Sequence, residues 1–499
     1  MRLTPKRLFV LLFALALFVL SVRETLDPDM WWHLRTGQVI WESGAIPQTD
    51  LFSFTVPDHL WVVQQWLTDV LMWLIYQAAG LRGLSVFFAL LVMATYLLVF
   101  ARCAGRPYLA AGVVLLALFA ASLPIGVRPQ MFNIFFFALF LFLVEGVRQG
   151  KFRARAFFWL PPLTALWANM HSGYLSGVAL LGVYVFGEGL QILWPWKGEA
   201  RDGATEVNPR LSLGQVGLLA LMMALSMLAA LLNPRGIDLV LFPLFTLSSD
   251  AIQSHIVEWF SPDFRLVYFQ IFAGMMALGL LAFALSRKRP SLTDLLLFLG
   301  TAGMGLISAR HIPLFTVAAA SVIARALLAS LEGTRLHAFF TGESSIANRQ
   351  SSIANLLNGL LLLLALATAV LWTVTRLQNN DQTIASRFPV AAVDYLEESG
   401  LAEQPGYNLY EWGGYLIWRG IPVFIDGRTE VYGDAFFLYY LQASEVKENW
   451  REPLDDFDVA YVLLKRSHSL GTLLLASGEW QQAYRDDLAQ ILVPVDGNQ

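Results

Sequence analysis

The sequence is short of charge: only 14% of its 499 residues are Asp, Glu, Lys or Arg, against 56% hydrophobic. Soluble proteins carry about 25% charge, so a water-soluble globular enzyme is a poor fit. Cysteine is nearly absent. Cys103 stands alone, which excludes an intrachain disulfide, and no Cys/His cluster has zinc-site spacing. The 21 prolines and 37 glycines are ordinary usage and exclude a collagen-like or disordered chain. No basic patch or stripe is present, so a nucleic-acid partner is not expected.

What the chain has instead is long apolar runs. A spanning helix needs about 20 mostly apolar residues, because lipid cannot satisfy free backbone groups. Candidate spans lie at about 8–22, 83–101, 108–125, 131–147, 156–169, 174–194, 212–232, 267–285, 292–309, 312–330 and 355–376. The fifth is short and holds Pro161-Pro162. The first continues past Ala14-x-Ala16 to Val22, which reads as a retained anchor rather than a cleaved leader. With a cytoplasmic N-terminus (Arg2, Lys6, Arg7), alternate loops collect the basic residues. These are Arg102/Arg106, Arg148/Lys151/Arg153/Arg155, Lys197/Arg201/Arg210, Arg287/Lys288/Arg289 and Arg335/Arg349. Arg325 falls inside the tenth run near its cytoplasmic end, where a long side chain can snorkel.

Residues 61–79 put Gln64, Gln65, Thr68 and Asp69 on one face, which reads as an interfacial helix within a first external loop, 23–82. The expected architecture is a polytopic α-helical membrane protein of about 11 spans (1–376) with an extracytoplasmic α/β domain (377–499). That tail carries 8 Lys and Arg against 19 Asp and Glu, while the first 376 residues carry 26 against 19. Helices are expected at 390–399 and 435–450, and strands at 407–410, 422–425, 459–464 and 490–493. A seven-residue tandem repeat, Ser344–Gln350 and then from Ser351, reads as a linker insertion. The expected location is the plasma (inner) membrane, multi-pass.

In this topology the unusual polar residues share the outer side: Asp27, Asp29, His33, Arg35, Arg128, Asn169, His171, Asn233, Arg235, Glu258, Arg310 and His311. Ionisable groups at the ends of apolar helices are costly and point to function. Blander roles exist for each. Asp27-Pro28 suits a helix start that would stop at Gly44. Arg128 and Arg310 suit headgroup anchors, and Trp31, Trp32, Trp61 and Trp66 suit a membrane belt.

Acids and arginines at the outer end of a lipid-facing bundle suit a lipid-linked phosphosugar donor. Arginine would clamp the phosphate leaving group, and a carboxylate would deprotonate the acceptor. Asp27 is the expected base or metal ligand, with Asp29 supporting it and Glu258 positioning acceptor or metal. Arg35, Arg128 and Arg310 are the phosphate candidates. A divalent metal, Mg or Mn, could bind at Asp27 as a Lewis acid.

At these residues the sequence resembles the GT-C superfamily of membrane glycosyltransferases. Asp27-Pro28 with Trp31–Thr36 is similar to the Asp-Pro…Asn-Tyr-Arg segment of the oligosaccharyltransferase catalytic subunit, and His255–Glu258 to its Ile-x-Glu element. Tyr410–Tyr415 followed by Asp426–Thr429 is similar to its Trp-Trp-Asp-Tyr-Gly motif and the Asp-x-x-Thr beyond. The run DPDMWWHLRTGQ…GAIPQTDLFSFT also resembles uncharacterised prokaryotic glycosyltransferase-like membrane proteins. Unlike the oligosaccharyltransferases, this chain has no acidic pair at 126–130. The resemblance implies a polyprenyl-phosphate sugar donor, a glycan, lipid or protein acceptor, and substrate contacts at His33, His171, Trp412, Asp426 and Arg428. Gly413-Gly414 otherwise reads as a turn. Two rival functions remain: a transporter or flippase, which would want charge at mid-membrane, and a scaffold acting through the tail.

Overall fold

The computed structural model describes residues 3–194, 210–286, 288–341 and 352–495. Lys197, Arg201, Arg287, Arg349, Ser351 and the first copy of the tandem repeat lie outside the described residues.

Each apolar run falls on helical chain. Seven helical stretches are long and apolar enough to cross a membrane: Trp66–Arg102, Gln130–Arg148, Tyr174–Leu193, Leu213–Ala230, Val267–Leu285, Ala309–Ser330 and Ile353–Ala385. Tyr108–Ala120 and Leu292–Ile307 are shorter apolar helices, and the first helix is Pro5–Ser21. The run at 156–169 splits into a 3-10 turn, Ala154–Trp159, and the helix Leu160–Met170. The protein is thus a multi-pass helical membrane protein carrying a small C-terminal sheet.

Residues 66–79 are helical, and Gly80 (φ 63°) breaks them from the apolar helix that follows. A residue with a side chain would be strained at that angle. The polar face of this segment does not lie against water as expected. Asp69 Oδ1 sits 2.7 Å from His33 Nδ1, and Thr68 donates to the Met170 carbonyl at 2.8 Å. Both Thr68 and Asp69 are fully enclosed.

One end of the bundle holds a charge-balanced ion network. Arg102 makes two hydrogen bonds to Glu145 (3.1 and 2.9 Å) and also donates to the Val317 carbonyl and Ser321. Arg148 pairs with Glu188 at 2.8 Å and Asp294 at 2.9 Å. Arg325 does not snorkel. It pairs with Asp294 at 2.9 Å and lies 3.7 Å from Glu145. Three arginines and three carboxylates from five helices therefore neutralise one another. Arg128 and Arg148 bracket one helix, Gln130–Arg148, which separates the two ends by about 28 Å at 1.5 Å per residue. The two sets of polar residues are at opposite ends.

The tail builds a four-stranded sheet: β1 Gly406–Asn408, β2 Tyr461–Lys465, β3 Trp480–Arg485 and β4 Ala489–Pro494. Their order is β1-β2-β4-β3, with β1 parallel to β2 and the rest antiparallel. Helices Val390–Ser399 and Thr429–Ser444 flank it, the second broken at Gly433 (φ 70°). Three corrections apply here. Gly413-Gly414 is no turn but lies within helix Tyr410–Trp418. Strand β3 was not foreseen. The segment 422–425 is extended yet pairs with the first loop instead of the sheet, through Val423 N to the Phe52 carbonyl (3.0 Å) and Phe54 N to the Val423 carbonyl (3.2 Å).

That pairing joins the first loop to the tail. Asn380 exchanges hydrogen bonds with Thr25 (3.0 and 2.7 Å), and Trp31, Trp32 and Trp61 are buried in this junction rather than in a membrane belt. One continuous apolar core runs from the bundle into the tail.

Candidate functional site

The first loop presents Asp27-Pro28-Asp29 just ahead of helix Met30–Ser43. The helix begins later than Asp27 suggests; Oδ1 of Asp27 accepts the Asp29 amide at 3.0 Å, and the helix ends at Gly44 (φ 67°) as expected. This loop docks on the tail through two glycines. A methyl group on Gly414 would lie 2.4 Å from the Pro28 carbonyl oxygen, and one on Gly427 would lie 1.9 Å from Asp29 Oδ1. Trp32 Nε1 donates to the same Asp29 oxygen at 3.1 Å.

Arg128 reaches this loop from the start of helix Gln130–Arg148. Its Nε is 3.0 Å from Asp27 Oδ2, its Nη2 is 4.0 Å from Asp29 Oδ2, and its Nη1 donates to Glu258 Oε1 at 2.5 Å. Glu258 lies on a 3-10 turn, Val257–Trp259. That turn is fixed to the next polar segment by Ser308 donating to the Glu258 carbonyl (3.1 Å) and by Ala309 N to the Phe260 carbonyl (2.9 Å). Its N-terminal flank is held by the tail, where Ser249 donates to Asp434 at 2.5 Å. Arg310 stacks over Trp259 at 5.1 Å and, among the described residues, has no carboxylate within salt-bridge distance.

The electrostatics follow from one guanidinium meeting three acids. Burial, and then the Asp27 charge, push Asp29 up to about 7. Burial also raises Asp27, with Arg128 opposing it. For Glu258 burial works in the same direction, but Arg128 and Arg310 more than offset it and hold the carboxyl below its ordinary range. His171 faces the same field. Burial, then Arg310 and Arg128, take it down to about 3, so it is neutral, and its Nδ1 accepts the Gly173 amide at 2.9 Å.

The structure therefore brings together Asp27, Asp29, Arg128 and Glu258, with Arg310 and His171 beside them. Of the other expected residues, His33 lies within electrostatic range of Arg128 and His171, and the rest lie apart. Arg35 bonds Gln38 at 2.8 Å on the first-loop helix. His33 is buried against Asp69, and burial keeps it well below the ordinary histidine range. Trp412 is in the tail core, donating to the Arg387 carbonyl at 3.0 Å. Asp426 and Arg428 are wholly enclosed, with Arg428 Nη2 2.6 Å from Asp426 Oδ2 and Nη1 2.7 Å from Asp50 Oδ1. Arg428 also lies over Trp61 at 4.5 Å. As folded, these three hold the tail and its junction together. Sequence reading missed Asp50, Asp69, Trp259 and Glu430, the last within electrostatic range of Arg310. Local signals existed for Glu430 beside the Asp426–Thr429 motif, for Asp50 within the run GAIPQTDLFSFT and for Trp259 next to His255–Glu258.

A divalent metal needs carboxylate oxygens converging on one centre. Here Asp27 and Glu258 address different edges of a planar guanidinium that fills that centre. Among the described residues no group of three or more His, Cys, Asp or Glu is set to hold a metal. The acids as arranged fit Arg128 rather than a metal ion.

No protein-family model matches the chain, and no curated protein sequence matches it. Solved structures do. The Archaeoglobus fulgidus oligosaccharyltransferase tethered to an acceptor peptide containing the NVT sequon superposes with a TM-score of 0.54 at 13% identity, covering 93% of this chain and 69% of that one. The Archaeoglobus fulgidus oligosaccharyltransferase AglB in complex with an inhibitory peptide and a dolichol-phosphate gives 0.51 at 11%, covering 92% and 69%. ArnT from Cupriavidus metallidurans in the apo state gives 0.52 at 14%, covering 98% and 99%. At such identity the likeness is one of fold alone: the chain shares the fold of these oligosaccharyltransferase and ArnT structures.

Proposed function

We propose that this protein is a membrane glycosyltransferase that moves a sugar from a polyprenyl-phosphate-linked donor to an acceptor, on the extracytoplasmic side. The observation that carries the reading is the Asp27–Asp29–Arg128–Glu258 cluster at one end of the bundle, with no carboxylate within salt-bridge distance of Arg310 among the described residues. Basic residues gathered at the opposite end support a cytoplasmic assignment for that end. The dolichol-phosphate held by the archaeal AglB of the same fold supports a donor of that class.

In this reading the donor phosphate lies at the headgroup level, on Arg310, and its isoprenoid tail runs between helices. Asp27, supported by Asp29, takes the proton of the acceptor as the acceptor atom bonds the anomeric carbon. The anomeric C–O bond breaks, its electron pair leaves with the phosphate oxygen, and the guanidinium stabilises that charge. Trp259 under Arg310 keeps the guanidinium in place.

The test is turnover in vesicles loaded with a radiolabelled polyprenyl-phosphate sugar, reading release of the polyprenyl phosphate. Asp27→Asn is expected to lower the rate by about 10²–10⁴-fold. Full turnover by that variant removes the assignment.

A further inference from the structure

We propose that Arg128 is the built-in cation of this acidic site, standing where a divalent metal would otherwise sit, so that the folded protein takes no metal there. The inference deepens the glycosyl-transfer reading, yet it rests on the arrangement of the acids themselves. Asp27 and Glu258 lie 231 positions apart in the sequence, and their carboxylates meet on the charge that lies between them. That is Arg128, whose Nε and Nη1 each take one of these carboxylates, while Nη2 faces Asp29 at 4.0 Å. A guanidinium is planar, permanently charged and presents donors along fixed diverging edges, so it gathers carboxylates around its rim. A metal ion instead demands oxygens at about 2.0–2.6 Å from a single point.

Arg128 has little freedom to make way. Its carbonyl accepts the Met131 amide at 3.1 Å at the start of helix Gln130–Arg148, and its side chain is only 17% exposed. Displacing it would strand a buried guanidinium beside a dication, a costly arrangement. A fixed arginine also suits a site that must admit an anionic phosphate without losing its own cation to that phosphate.

The test needs neither donor nor acceptor. Mn²⁺ is titrated into the detergent-purified full-length chain and its binding read by electron paramagnetic resonance. Wild type and Asp27→Asn are expected to bind Mn²⁺ equally weakly, without a stoichiometric site up to about 1 mM. Arg128→Ala, and separately Arg128→Gln, release the three acids and are expected to bind Mn²⁺ at least about tenfold more tightly, a gain that a further Asp27→Asn abolishes. Stoichiometric binding by wild type that Asp27→Asn removes overturns the proposal. So does the lack of any gain in arginine variants whose melting curves show them folded. If neither variant folds, the comparison of wild type with Asp27→Asn decides alone. A chain that binds no Mn²⁺ and also fails to turn over donor leaves this inference standing and counts against sugar transfer.

Discussion

Asp29 sits with a second acid, a guanidinium and an indole N–H around one carboxyl group, and its proton affinity is the sum of their effects. Burial and the Asp27 charge outweigh Arg128 and Trp32, taking it from 3.8 to about 7. The consequence for stability has a definite sign. Between about pH 4 and 7 the unfolded chain has ionised this group while the folded chain keeps it protonated. The folded state therefore loses stability as pH rises through that window, and the loss levels off above it. Asp29→Asn removes this component. The melting temperature of wild type is expected to fall more than that of the variant between about pH 5 and 7.5, measured by scanning fluorimetry in detergent. Parallel curves would refute the raised Asp29. Residue identities announced this site, since Asp27, Asp29, Arg128, Glu258 and Arg310 stand out as ionisable groups at the ends of apolar runs. Asp69 did not stand out, because a carboxylate on an amphipathic segment looks like any solvated one until His33 is folded against it at 2.7 Å.

Among the elements, the periodic ones were legible. Apolar runs have a single way to satisfy their backbone in lipid, so each produced helical chain. Strands β1, β2 and β4 fell close to their expected positions because each alternates or runs apolar between turn residues. The helix Tyr410–Trp418 was hidden by its two glycines, which read as a turn. Their reason is close approach: a methyl on Gly413 would lie 2.2 Å from the Ile425 carbonyl oxygen, and one on Gly414 would press on Pro28. The Gly414 contact is with chain far away in sequence, so no local pattern encodes it. Gly414→Ala must push the Asp27-Pro28-Asp29 loop off the tail. It is expected to cost about 1–3 kcal/mol of stability and, through a displacement on the order of 1 Å at the acids, about 10²-fold in turnover. Gly112→Ala, where nothing lies within 4 Å, serves as the neutral control in the same assays. Equal behaviour of the two variants would dismiss the docking role.

At the level of the whole molecule, two sets of buried charge fasten the parts. The neutral network of Arg102, Glu145, Arg148, Glu188, Asp294 and Arg325 ties five helices at the end away from the site. The Asp50–Arg428–Asp426 group fastens the first loop to the tail, with Tyr432 donating to Asp426 at 2.5 Å. Arg428→Gln strips a buried charge from two carboxylates and is expected to cost about 3–5 kcal/mol. The first loop should then become cleavable by chymotrypsin at Leu51–Phe54, a stretch without Lys or Arg, under conditions where the wild-type chain resists, as read by gel and mass spectrometry. Unchanged resistance would mean the junction holds without it.

The sequence alone determined that the chain lives in a membrane and which ionisable residues are too expensive to be there by accident. Each follows from the cost of burying polar groups in lipid, a local quantity that composition and run length express. The partners of those residues were decided only by the tertiary fold. Arg128 could have faced a headgroup, and Asp426 with Arg428 could have faced a substrate. Instead the first gathers three acids and the other two are sealed against Asp50, because hydrogen-bond partners are chosen by three-dimensional proximity, which spacing along the chain does not record.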